Sequence, residues 1–159
     1  MQKRLLRLFV TSAAVVLLTT AFAKAVSALG DAGILNGPDP IFGVDLRTTL
    51  LVAATLESVV AWVCLRATRL SLQIELVLWL STVFALYRVG LWVVGYDQPC
   101  HCLGTMTDAL HISPGAADLG MKIVLSYLLI GSCAARFWLR GQRGGGNNGE
   151  VPEPAKVLQ

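Results

Sequence analysis

Charge is scarce in this chain. Ten acidic and 13 basic residues make up 14% of 159, against 55% hydrophobic residues and a mean hydropathy of +0.64. So little charge excludes an ordinary soluble domain. The chain also lacks an internal repeat, a glycine-rich nucleotide motif and a stretch polar enough for a soluble catalytic domain. The net charge of +3 gives no case for a nucleic-acid partner, because residues that orient membrane segments account for most of it.

What is abundant is uninterrupted apolar sequence. Four runs, 5–29, 48–65, 72–96 and 119–139, each hold roughly the 17 to 25 residues a helix needs to cross a hydrocarbon core of about 30 Å. In lipid every backbone amide must be satisfied within its own segment, which helices do and open strands do not. The expected fold is all-α, a four-helix integral membrane bundle over residues 1–140, with the lipid bilayer as its first partner.

Charge placement sets the orientation. Nine of the 13 basic residues (Lys3, Arg4, Arg7, Arg66, Arg69, Arg136, Arg140, Arg143 and Lys156) fall before the first run, between the second and third, or after the fourth. The positive-inside rule places these in the cytoplasm, and with them both termini. The other two connections carry Asp31, Asp39, Asp45, Asp97, Asp108 and Asp118, with Arg47 as their one base. Basic residues followed by an apolar run and Ala21-Phe22-Ala23 resemble a signal peptide with its cleavage site. The apolar run resumes after Lys24 and reaches spanning length, which favours a retained first span.

Residues 30–47 read as an outer loop whose Ile34-Leu35 and Ile41-Phe42 pairs meet the lipid interface. In the second outer loop, 97–118, Ser113-Pro114 suits the cap and first position of the fourth helix. Residues 141–159, rich in glycine and asparagine, read as a disordered cytoplasmic tail.

Two constellations carry chemistry. The first is Pro99-Cys100-His101-Cys102-Leu103-Gly104, in the second outer loop. An oxidising compartment favours a bridge between Cys100 and Cys102. A disulfide needs Cα atoms about 4.4 to 6.8 Å apart, and an i,i+2 pair in extended chain lies near the upper limit, so the loop must bend. Pro99 and Gly104 supply turn chemistry for that bend. So small a ring is expected to be strained, and strained bridges exchange readily, which favours catalytic redox work by Cys100 and Cys102 over stapling. A static structural bridge remains open. So does a zinc or copper site from Cys100, His101, Cys102 and His111, although the adjacent side chains of such a run tend to diverge. Cys64 and Cys133, toward the opposite end, read as small packing residues.

The second constellation is intramembrane charge. Lys24, Glu57 and Arg88 lie in three different runs, about 8 to 14 Å below the outer ends. Each costs about 2.5 to 3.5 kcal/mol on insertion scales, so mutual pairing is expected, with Glu57 central between Arg88 and Lys24. Ala53, Ala54, Ser58 and Ala61 around Glu57 allow close helix approach. Arg88, Trp92 and Tyr96 recur at i, i+4, i+8, along one face leading to the cysteine loop. One reading is a polar, aromatic-flanked pocket for a quinone head group, built from Lys24, Glu57, Arg88 and Trp92. The other is a salt bridge that locks the bundle, with the aromatics as interface anchors.

Together these elements resemble the methylamine-utilisation protein MauE family, which is related to the DoxX-like membrane proteins. The resemblance rests on four spans, Ala23-Lys24 late in the first, a glutamate in the second, Phe84-Ala85-Leu86-Tyr87-Arg88 in the third and Cys100-x-Cys102-x-Gly104 just after it. It covers about residues 5–140. It implies a redox-associated inner-membrane protein that acts with an extracytoplasmic thioredoxin-like partner in maturing disulfide-containing periplasmic proteins. His101 and Leu103 depart from the family's common glycine and phenylalanine. No residue argues for methylamine itself as a substrate. A non-catalytic membrane assembly factor with structural cysteines, and a metal-handling membrane protein, are the alternatives.

Overall fold

A computed structural model describes residues 2–30, 35, 37–95 and 114–144. These form four helices: α1 Gln2–Leu29, α2 Leu46–Arg66, α3 Leu70–Val93 and α4 Pro114–Gly144. Each contains a segment long and apolar enough to cross a membrane. The expected runs are therefore present with shifted ends. α3 stops at Val93, three residues short of the apolar run. Gly95 adopts φ +73 and its N–H bonds the Trp92 carbonyl, the left-handed stop that ends many helices. At the other extreme, α4 starts at Pro114 and runs to Gly144, so residues 141–144 of the expected tail are helical. Pro114 suits a first helical position, where its missing N–H would be unpartnered anyway. Residues 145–159 lie outside the described residues.

α1 packs most extensively on α2, and α3 on α4. Small residues of both helices are buried, Ala13, Ala14, Ala21 and Ala28 of α1 and Ala54 and Ala61 of α2. Small side chains let backbones approach, the main source of helix affinity where lipid is as apolar as leucine. At the arginine-rich end, Leu6, Val10 and Leu17 meet Val60, Cys64, Ile74, Val77, Leu80, Leu128 and Ala135 in one core cluster. Outside it the bundle shows Phe22, Trp62, Trp79, Leu86, Ile123, Ile130 and Phe137, a surface suited to hydrocarbon and not to water.

The tight α2–α3 connection at 67–69 is held by a buried amide. Gln73 Nε2 donates to the carbonyls of Cys64 (2.8 Å) and Ala67 (2.7 Å), at the end of α2 where helical carbonyls lack partners. α3 and α4 are clamped at both ends, by Arg136–Glu75 (2.8 Å) and by Arg88–Asp118 (2.6 Å). α1 meets α4 where the Phe9 ring lies on Gly131, and there Ser12 and Tyr127 hydroxyls are 2.7 Å apart.

The loop before α2 is folded over the bundle end. The Asp39 carboxylate accepts the Ile41 and Phe42 amides (2.8 and 3.0 Å), Gly43 turns at φ +66, and Asp39 N–H closes the turn on the Val44 carbonyl at 2.7 Å. Tyr87 Oη of α3 donates to Asp39 Oδ2 at 2.6 Å, Phe42 stacks on the Tyr87 ring with centroids 5.7 Å apart, and Ile41 lies against Gly90. Leu35, expected at the lipid interface, is instead fully buried against Ala28, Leu46 and Leu50. The end of α1 is tied to the start of α2 there: Arg47 Nη2 holds the Gly30 carbonyl at 3.0 Å. The partner of Ile34-Leu35, Ile34, lies outside the described residues.

Candidate functional site

Lys24 sits one turn from the end of α1 and Glu57 midway along α2, and the close α1–α2 seam brings them into a buried ion pair. Lys24 is 5% and Glu57 2% exposed. Lys24 Nζ donates to Glu57 Oε1, and Thr20 Oγ1, one turn before Lys24, donates to the other carboxylate oxygen at 3.2 Å. The ammonium also lies 4.8 Å from the centre of the Phe84 ring of α3. The pair is thus hydrogen-bonded as well as charge-matched, which a buried ion pair needs to offset its desolvation.

Arg88 does not join it. Its Nη1 donates instead to Asp118 Oδ1 on α4 at 2.6 Å, and Lys122, one turn along α4, bonds the second oxygen of Asp118 at 2.8 Å. Glu57 is therefore not the shared centre of three charges; the Lys24–Glu57 pair stands apart from the Arg88–Asp118 pair, to which Lys122 adds. The reason is the longer α4. Starting at Pro114, it carries Asp118 as a helical residue against α3, where the sequence pattern leaves it as a loop acid. Trp92 is also displaced from the expected site. It is 77% exposed and faces outward one turn beyond Arg88. The aromatic residues that flank the site are Phe84, Tyr87 and Phe42.

Between the two ion pairs lies a cavity of about 540 Å³, within the range of small-molecule sites. All four helices line it: Leu17, Thr20 and Lys24 from α1, Glu57 and its neighbours from α2, Phe84, Tyr87, Arg88 and Leu91 from α3, and Met121, Val124, Leu125 and Leu128 from α4. Pro40, Phe42 and Val44 of the folded loop roof it. The walls are mostly hydrocarbon, with Lys24, Glu57, Arg88, Tyr87 and three threonines as the polar groups. In the roof, burial works to raise the Asp39 carboxyl, but hydrogen bonds from Tyr87 and the Phe42 and Ile41 amides outweigh it. They hold Asp39 below the usual carboxylate range. The roof is consequently anchored by an anion at neutral pH.

Three of the four residues expected at a pocket, Lys24, Glu57 and Arg88, thus share one cavity, and Trp92 does not line it. Tyr87, Asp39, Asp118 and Gln73 were not singled out as site or staple residues. A tyrosine one residue before an intramembrane arginine was the available signal for Tyr87. Cys100, His101, Cys102 and His111 lie outside the described residues. Among the described residues no group of three histidine, cysteine or acidic side chains could hold a metal ion. Cys64 is buried in the core cluster and Cys133 is half-buried, both as free thiols.

The fold and site define a class: a multi-pass helical membrane protein with two ion pairs beside a roofed, mainly apolar cavity. Comparison with family models, with curated proteins and with solved structures finds no match to the chain.

Proposed function

We propose that this is a redox-associated inner-membrane protein that exchanges thiol and disulfide equivalents between an extracytoplasmic thioredoxin-like partner and the membrane, with quinone as the membrane-side carrier. Cys100 and Cys102 are the exchanging pair in this reading. One thiolate forms a mixed disulfide with the partner, and the other resolves it. The couple balances in either direction: a dithiol and a quinone give a disulfide and a quinol, with two electrons and two protons transferred.

The observation that carries the reading is the cavity. It lies at the end of the bundle where α3 leads, seven residues beyond Val93, to Cys100, and it gathers Lys24, Glu57 and Arg88 within hydrocarbon walls. Intramembrane ionisable groups facing a bundle cavity are expected to serve function. The distribution of arginine supports an outward-facing cavity and cysteine segment, with both termini cytoplasmic. The resemblance to the MauE family points the same way, toward maturation of disulfide-containing periplasmic proteins.

The test is purified protein in lipid, assayed for quinone-dependent oxidation of a reduced thioredoxin-like substrate. Cys100→Ser and Cys102→Ser are each expected to abolish turnover, one of them trapping the mixed disulfide on a gel, while Cys64→Ala and Cys133→Ala leave it unchanged. Full function in cells of the Cys100→Ser, Cys102→Ser double variant would reject the redox mechanism in favour of a structural assembly factor.

A further inference from the structure

The cavity has a mouth, and its position is legible in the exposure of its lining. The lining residues that are exposed all come from one stretch: Pro40, Phe42 and Val44 of the roof, and Thr48 and Val52 of α2. Those contributed by α1, α3 and α4 are buried or half-buried. Val52 lies six residues into α2, about 9 Å along the helix axis. The opening therefore descends from the roof along the flank of a membrane-spanning helix, and apart from Thr48 its rim is apolar. Such a rim offers passage to lipid-dissolved molecules and little to water-dissolved ions.

Inside, each lining cation already holds a carboxylate, Lys24 that of Glu57 and Arg88 that of Asp118, which Lys122 shares from its exposed position. The walls are otherwise mostly hydrocarbon, which disfavours a charged phosphate or carboxylate head. Among the described residues, Arg88 Nη2 is a buried, charged donor of the lining with no hydrogen-bond partner. A buried unsatisfied donor costs about 1 to 3 kcal/mol, which an uncharged carbonyl oxygen can relieve without disturbing either ion pair. The Tyr87 ring and the Phe42 stacked upon it border the same space and suit a flat head group.

We infer that the cavity is loaded sideways from the lipid through the 40–52 mouth. Its occupant is an isoprenoid quinone, held with a ring carbonyl toward Arg88 and its tail leaving past Val52 and Phe42. This rests on the reading of quinone as membrane-side carrier, and it adds the route, the orientation and the uncharged character of the ligand.

The experiment uses the full chain in phosphatidylcholine nanodiscs with a photoreactive ring-azido quinone carrying an isoprenoid tail. Labelling is expected on the α3 segment around Phe84 to Leu91 and is competed by unmodified long-tailed quinone. Val52→Trp, at the rim, is expected to lower that labelling about tenfold or more. Val59→Trp, two turns deeper on the same lipid-facing side and outside the cavity, leaves it unchanged. Thr48→Trp serves the same purpose as Val52→Trp if the latter fails to elute as wild type. Equal labelling in the rim variants overturns the route, and displacement of the probe by a phospholipid overturns the ligand. Competable labelling in a protein that shows no thiol exchange supports this inference while removing the redox reading. Thiol exchange with no competable labelling does the opposite.

Discussion

Glu57 shows how one residue's role depends on which neighbour reaches it. With Lys24 as its one ionic partner among the described residues, Glu57→Gln leaves an ammonium buried without a counter-charge, and breaking a buried pair from one side costs about 3 to 5 kcal/mol. The expected outcome is a marked fall in thermal stability of the purified protein and in its membrane abundance. Adding Lys24→Met restores much of both, since it removes the uncompensated buried charge and leaves the Gln amide with Thr20 as a partner. Adding Arg88→Met does not, because Arg88 answers to Asp118. Rescue by Arg88→Met instead would return Glu57 to the centre of a three-charge cluster. Lys24 and Glu57 were legible in the sequence because a charge inside an apolar run is costly enough to demand a partner. Arg88's partner was not, because a carboxylate near the end of a run gives no such signal, and where the run ends depended on where α4 begins.

At the scale of elements, apolar length located all four helices, since the membrane admits few alternatives to a helix of spanning length. It did not locate their ends, which are set locally by Gly95 after α3 and Pro114 before α4. It also could not show which helices touch, because lipid-facing and helix-facing residues are equally apolar. The α1–α4 contact illustrates this. A Cβ added at Gly131 would collide with the Phe9 ring, so the glycine marks a close approach that hydropathy does not record. Gly131→Val is expected to push Phe9 aside and lower stability by about 1 to 3 kcal/mol, as overpacking does. Phe9→Ala in the same chain should relieve the clash. A Gly131→Val protein that melts like wild type would mean that α1 and α4 are not held together there.

For the whole molecule, the two ends of the bundle differ in kind. One gathers Arg4, Arg7, Arg66, Arg69, Arg136 and Arg140 around the core cluster and the short α2–α3 turn; the other holds the roof, the cavity and the chain's approach to Cys100 and Cys102. The proposed inner-membrane orientation puts the arginine-rich end in the cytoplasm, on a bias that residues near short loops set most strongly. A reporter fused after Gln142 is therefore expected to be active only as a cytoplasmic fusion, and one inserted near Asp108 only as an exported one. This outcome bears on chemistry as much as on topology. A cysteine pair facing the cytoplasm would be held reduced by the thiol pool there, and an exchange partner outside could not reach it. Reversed reporter activities would thus remove the thioredoxin-like partner from the proposal while leaving the cavity, its two ion pairs and its lipid-facing mouth unchanged, so that the ligand site and the thiol site stand or fall separately.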